Sequence, residues 1–272
     1  MSETTALSRL ETNLKLPAAC IQLGDVELTY HRGGRGRPLV YLHGGDGLYA
    51  NAPLLDKLAG YFDVIAPIHP GFECSQMPDW VDSIDDYAHL YIALIDRLGL
   101  ANVALAGASI GGWIAAEMAT KNKSRLGALA LIAPVGIKIG PADKLDIPDI
   151  FAMRDAPLRE MLFHDYGKAL QDFSALSDEE LTAIARNRET LAMVSWEPYM
   201  HNPKLSHRLF GVDIPTLFLR GSSDGMISQN YIEAYAALMP KAKVQVIPAS
   251  GHFLHIEQPD SLCASITAFA KS

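Results

Sequence analysis

The sequence predicts an α/β fold with a mostly parallel sheet, and two patterns carry that prediction. Short apolar runs closed by turn residues recur at 38–44 (PLVYLHG), 62–71 (FDVIAPIHPG), 102–109 (NVALAGAS), 126–134 (LGALALIAP), 215–221 (PTLFLRG) and 242–251 (AKVQVIPASG). Continuous apolar runs of this length suit strands covered on both faces, as in a parallel sheet. Helical patterns sit between several of these runs, and strands alternating with helices define the α/β class.

Taken in chain order, residues 20–34 alternate around Gly24-Asp25 and read as an antiparallel hairpin at the sheet edge. In 83–98 the side chains of Ile84, Tyr87, Tyr91, Leu94, Ile95 and Leu98 repeat at helical spacing. Ser83 can cap the start of this helix and Gly99 can end it. Residues 227–239 form another one-faced helix through Ile227, Tyr231, Ile232, Tyr235, Leu238 and Met239, and a last helix covers about 261–270. From 135 to about 210 no strand pattern is found. This segment carries helical fragments at 150–153 and 158–163, and a longer helix opened by the capping box of Ser177 and Glu180. It reads as a helical insertion over one edge of the sheet, rich in large apolar side chains.

With 272 residues, 49% of them hydrophobic, the chain can bury a large core as one domain or one domain with an insertion. The net charge is −8 and the pI about 5.6, without a block of lysines and arginines, which argues against nucleic acid as a partner. The first 16 residues lack a signal-peptide pattern. No stretch approaches the roughly 18 apolar residues that suggest a membrane span. Cys20, Cys74 and Cys263 stand far apart. Such sparse thiols speak against disulfides and zinc, and read as buried structural residues of a cytoplasmic protein. No metal, cofactor or membrane partner is expected, and the sequence leaves monomer and homodimer open.

The chemistry centres on GASIGGW, residues 107–113. Ser109 sits where a strand meets a helix, with Gly107 and Gly111 two residues to either side. This is either a glycine-rich turn with a capping serine or a turn that lifts a hydroxyl clear of the sheet. In the second case the N–H of Ile110 lies at a helix N-terminus, where donors point outward and negative charge is favoured. A serine needs a base. His252 follows the last strand, at the sheet edge where Ser109 lies. His255, three residues on, reads as packed or solvated. The base in turn needs an acid, and Asp224 leaves the end of strand 215–221. Loop 41–47 (YLHGGDG) follows another strand and offers backbone donors for an oxyanion, with Gly45 chosen to pair with Ile110. His43 at that strand end reads as a brace rather than a second base.

With these four loops the chain resembles the α/β-hydrolase superfamily over nearly its whole length. LHGG, GASIGGW, LRGSSDGMI and GHFLHIEQPD resemble its oxyanion loop, nucleophile elbow, acid loop and histidine loop, in order. The resemblance implies an eight-stranded, mostly parallel sheet with helices on both faces. It implies a core of 1–134 and 211–272 and a helical cap of 135–210. It also implies Ser109 as nucleophile, Asp224 as acid, His252 as base, and Gly45 and Ile110 as oxyanion donors. A serine at the elbow separates the chain from branches that use aspartate there. Many relatives carry a glycine where this chain has Glu73, whose carboxylate faces either the pocket mouth or solvent. The meta-cleavage C–C hydrolases resemble the chain at HGG but differ at Asp46-Gly47-Leu48 and at Phe253. Asp46, Trp113, Phe163, Trp196 and Phe253 are the candidate substrate contacts. The expected activity is hydrolysis of a small or medium apolar ester, lactone or thioester. C–C bond hydrolysis or a lyase reaction on the same triad is the alternative, and a ligand-binding protein of this fold the third reading.

Overall fold

Eight strands form one sheet: β1 (Ala18–Leu23), β2 (Val26–Gly34), β3 (Pro38–Leu42), β4 (Asp63–Pro67), β5 (Val103–Ala108), β6 (Leu126–Ile132), β7 (Thr216–Gly221) and β8 (Ala242–Ile247). The computed structural model describes residues 14–141, 143–169 and 173–271, so the reading of the N-terminal 13 residues lies outside it. The strand order is β1-β2-β4-β3-β5-β6-β7-β8. β2 runs antiparallel to both of its neighbours, and every other pairing is parallel. The predicted hairpin is β1–β2, turning at Gly24-Asp25 with Leu23 opposite Val26.

The helices are α1 (Ala52–Leu58), α2 (Ile84–Arg97), α3 (Ile110–Lys121), α4 (Asp155–Leu162), α5 (Tyr166–Ala169), α6 (Asp178–Ser195), α7 (Gln229–Ala237), α8 (Leu254–Glu257) and α9 (Pro259–Lys271). They cover both faces of the sheet, with α2 packed on α3 and α1 on α9. β5 is buried at every position and built from Val, Ala, Leu and Gly. Those small side chains let α3 lie close against β5 and its neighbours β3 and β6. α4, α5 and α6 lie in the segment between β6 and β7. None of the described residues there belongs to the sheet; a single bridge joins Gly136 to His201.

Three readings need correction. The helical fragment at 150–153 is a turn, because the Asp149 carboxylate accepts the N–H groups of Phe151 and Ala152 and offers the backbone a local alternative to helix. Helix α1 is additional; its seven residues with Pro53 in the first turn are too short to show a period. Of the three thiols only Cys263 is buried. Cys20 points outward from the edge strand and Cys74 is exposed in the loop after β4. Among the described residues no helix is long and apolar enough to cross a membrane.

The expected cap of α2 forms in full. Ser83 Oγ accepts the N–H of Asp86, and the Asp86 carboxylate accepts the N–H of Ser83 at 3.1 Å. Replacing a capping serine removes about 1 kcal/mol. Ser83→Ala is therefore expected to lower the urea midpoint by that equivalent without changing the denaturant slope; an unchanged midpoint would show that the box adds nothing.

Candidate active site

The turn from β5 into α3 brings backbone unusually close to backbone. Ser109 has φ +51° and ψ −114°, a conformation that non-glycine residues rarely adopt. A Cβ on Gly107 would lie 2.2 Å from the Gly111 carbonyl oxygen. One on Gly111 would lie 2.2 Å from that of Leu42. The two glycines are thus required by contact, and the strain on Ser109 is held by its neighbours: its N–H donates to Ile132 O at 2.9 Å and its carbonyl accepts from Trp113 at 3.1 Å. The Ser109 side chain makes no capping hydrogen bond to α3, which removes the capping-serine reading. Ile110 is the first residue of α3, and the first N–H groups of a helix lack intrahelical acceptors.

Loop 43–49 lies against this turn. A Cβ on Gly44 would meet Ser109 Cβ at 3.4 Å. The Gly47 N–H bonds back to the Gly44 carbonyl at 3.2 Å, which closes a turn with Gly45 and Asp46 at its centre and leaves the Gly45 N–H outside that bond. His43 braces the loop from below. Its Nε2 accepts the His69 N–H at 3.0 Å, so its proton sits on Nδ1 and donates to the Gly44 carbonyl at 2.7 Å. His69 donates through Nε2 to the His43 carbonyl and accepts at Nδ1 from Tyr91. Burial pushes His43 down to about 4 and His69 well below the usual imidazole value, so both serve as neutral braces.

Asp224 and His252 come together directly, with Asp224 Oδ2 3.0 Å from His252 Nδ1 and both residues buried. Asp224 Oδ1 accepts the N–H groups of Met226 and Ile227. The buried Arg220 donates to the carbonyls of Asp224 and Ile227 and sets the loop of Asp224 in place. Ser109, Asp224 and His252 follow the C-terminal ends of the parallel strands β5, β7 and β8, the edge where loop 43–49 also leaves β3.

The segment between β6 and β7 touches these loops at two places. At its first contact, Leu162 O accepts the His252 N–H at 2.7 Å and Met161 O accepts that of Gly225 at 3.0 Å. At the second, one face of α6 docks on the core. Arg186 donates to Ser75 O, Asn187 Oδ1 accepts the Glu73 N–H at 2.6 Å, and Thr190 donates to Gly71 O. Leu191 lies over Gly45, where an added Cβ would meet its methyl group at 2.6 Å.

The candidate contacts divide. The Phe163 and Phe253 rings pair at 5.0 Å, with Phe253 against His252. Trp113 instead packs on Gly136 and donates to Glu117, because its place one turn into α3 carries it into the core. Trp196 is 52% exposed, with Phe151 and Tyr199 as its aromatic neighbours. Asp46 is bound to His255 at 2.7 Å, so His255 is neither solvated nor merely packed. Burial works to raise the Asp46 carboxyl, but His255, together with a backbone N–H and His43, outweighs it and holds the carboxyl below its ordinary value. Glu73 is the other correction: it is 4% exposed, with φ +53°, in the left-handed conformation that a glycine would adopt freely. Its carboxylate lies beside Gly47 and accepts from Tyr49 N–H. Sequence reasoning passed over Asn187, Thr190, Leu191 and Glu257. The helical spacing of the first three from Ala183 was the available signal; Glu257 gave none. Among the described residues no group of three or more His, Cys, Asp or Glu side chains could hold a metal ion.

The chain matches the model of the alpha/beta hydrolase family over residues 39–265. It is 27% identical over 252 residues to a 2-hydroxy-6-oxo-2,4-heptadienoate hydrolase of Pseudomonas putida, covering 86% of this chain and 89% of that relative. It is likewise 27% identical to a 2-hydroxy-6-oxo-6-phenylhexa-2,4-dienoate hydrolase of Burkholderia cepacia, covering 88% and 89%. Among solved structures, a carboxylesterase of Bacillus subtilis shares the fold with a TM-score of 0.72 at 19% identity, covering 94% of this chain and 92% of that one.

Burial pushes the Glu73 carboxyl from 4.5 up to about 7, and the nearby Asp46 adds to the rise. Between those values the folded chain holds a proton that the unfolded chain has released, so stability falls as pH rises through that window, by on the order of 3 kcal/mol. Glu73→Gln, uncharged at every pH, is expected to be more stable relative to the parent at pH 8 than at pH 4.5. Chemical denaturation at the two pH values checks this; an equal difference at both would place the titration elsewhere.

Proposed function

The chain belongs to the alpha/beta hydrolase family, and from that premise we propose that it is a serine hydrolase that cleaves a small or medium apolar ester through an acyl-enzyme on Ser109. The observation that carries the reading is the pairing of Asp224 with His252 at 3.0 Å, on the sheet edge that also presents the strained, uncapped Ser109. His252 Nδ1–H donates to Asp224 Oδ2, which leaves Nε2 free to take the Ser109 proton. Ser109 Oγ attacks the acyl carbon, and the N–H groups of Gly45 and Ile110 receive the oxyanion. His252 then returns the proton to the leaving alkoxide. In the second half it takes a proton from water, which attacks the acyl carbon, and hands that proton to Ser109 Oγ as the acyl–oxygen bond breaks and the acid leaves. Asp224 stays ionised and stabilises the imidazolium. The segment between β6 and β7 serves as the cap, with Leu191, Phe163 and Phe253 as apolar surfaces for the acyl or alcohol part.

A second reading keeps the triad and changes the bond. The two dienoate hydrolases above favour hydrolysis of a C–C bond next to a carbonyl, of the meta-cleavage type. Asp46-Gly47-Leu48 and Phe253, the departures from that branch, favour the ester. A panel of p-nitrophenyl esters against a 2-hydroxy-6-oxo-dienoate separates the two: turnover of the dienoate at 100 times the ester rate would reverse their order.

Ser109→Ala is expected to lower ester turnover by about 10⁴-fold or more, since removing the nucleophile leaves only binding and oxyanion stabilisation. A fluorophosphonate should label Ser109 in the parent and leave the variant unmodified. Label on another residue, or turnover that survives the substitution, would sink the assignment.

A further inference from the structure

Two residues beyond His252, the short helix α8 begins, and it makes two buried connections that the triad does not require. The first joins His255 Nε2 to Asp46 Oδ2 at 2.7 Å, with the His255 side chain 2% and the Asp46 side chain 16% exposed. Asp46 is the residue after Gly45, and its other carboxylate oxygen is buried with no hydrogen-bond partner among the described residues. Among the described residues, His255 is thus the one side chain shown to hydrogen-bond that carboxylate. The second connection runs through the buried Glu257. Its carboxylate accepts the Gly251 N–H at 2.6 Å, the His164 N–H at 3.0 Å and the Asp165 N–H at 2.7 Å. Gly251 directly precedes His252, and residues 164 and 165 follow α4. Lys168 also donates to the Glu257 carbonyl.

β3 and β8 stand four places apart in the sheet, with β5, β6 and β7 between them. Sheet register alone therefore fixes loop 43–49 and the histidine loop only loosely against each other. A hydrogen bond inside a poorly hydrated site is stronger than one in water, and a misplacement of about 1 Å in such a site can cost about 100-fold in rate.

We propose that His255 and Glu257 are positioning residues: α8 clamps the oxyanion loop, through Asp46, and the 161–165 strap of the cap, through Glu257, to the loop that carries the base. This deepens the hydrolase reading and rests on it for its catalytic consequence. Asp46 is thereby a part of the clamp rather than a substrate contact. The geometry also makes the 161–165 strap the fixed end of the cap, since opening there would break the His252–Leu162 and Gly225–Met161 bonds together.

The experiment pairs amide hydrogen exchange with steady-state kinetics on p-nitrophenyl butyrate. His255→Phe removes the bond to Asp46, and His255→Gln keeps a donor for it. His255→Phe is expected to raise exchange in 43–50, to lower kcat about 10- to 100-fold and to leave KM within about threefold. His255→Gln should recover most of that loss, which a role in stability alone would not produce. Asp46→Asn reads the same link should the phenylalanine variant not fold. The double Asp46→Asn/His255→Phe variant should be about as impaired as the worse single one. Glu257→Gln, with one acceptor oxygen instead of two, should raise exchange in 161–166 and 250–253. Unchanged exchange in 43–50 and 161–166, or kcat within twofold of the parent in the folded variants, would overturn the clamp. Should the parent not turn over the ester, exchange alone decides the clamp, and the Ser109 labelling separately decides the hydrolase reading.

Discussion

The approach of three stretches of backbone at the turn from β5 into α3 is the constraint on which the site depends. Gly107, Gly111 and the carbonyl of Leu42 occupy space that leaves no room for a side chain, and Ser109 is held with φ +51° between them. Such a conformation costs of the order of 1–3 kcal/mol and persists only when its surroundings over-determine it. Here the surroundings are the buried strands β3, β5 and β6 and the helix α3 packed across them. The same contact that strains the serine fixes the first N–H of α3 and presses Gly44 against Ser109. The placement of the proposed nucleophile and of the proposed oxyanion donors is in this sense the consequence of one packing event.

Around that event two networks of polar groups are either neutral or fully engaged. His43, His69 and Tyr91 form a string in which each polar atom has a partner and no net charge is buried. Asp224 has partners on both oxygens, and Arg220 fastens the loop that bears it. Half-satisfied buried polar groups are costly, so these networks bring specificity of position along with their stability. Glu73 departs from that pattern. It stands in a conformation suited to glycine, and its carboxyl is pushed up into the neutral range by burial.

The strand-and-helix rhythm was legible because burial on two faces writes continuous apolar runs, and because Ser83 and Ser177 carry capping boxes that the structure forms. The eight strands and the edge to which Ser109, Asp224 and His252 belong follow from local pattern plus order. Other features depended on distance across the fold. Asp46 and His255 lie 209 residues apart, and neither has a local reason to be paired. Trp113 and Trp196 are large and apolar in suitable segments, yet helix phase turns one into the core and leaves the other in solvent. At 150–153 the apolar letters suggested a helix, and a single aspartate side chain settled a turn instead. Glu73 was visible as a departure from a glycine position, but its burial came from Asn187, which lies 114 residues further along.

The bonds by which the segment between β6 and β7 holds the loops of Asp224 and His252, at 161 and 162, are made by main-chain carbonyls. A backbone carbonyl is the same whatever side chain it accompanies. Met161, Leu162 and Phe163 can therefore be exchanged for other residues while the fastening of His252 and Gly225 persists. In the proposed function, mechanical attachment and chemical selectivity are then carried by different atoms of one short segment. A lineage can in this way retune what it admits, one side chain at a time, without passing through forms whose machinery has come loose.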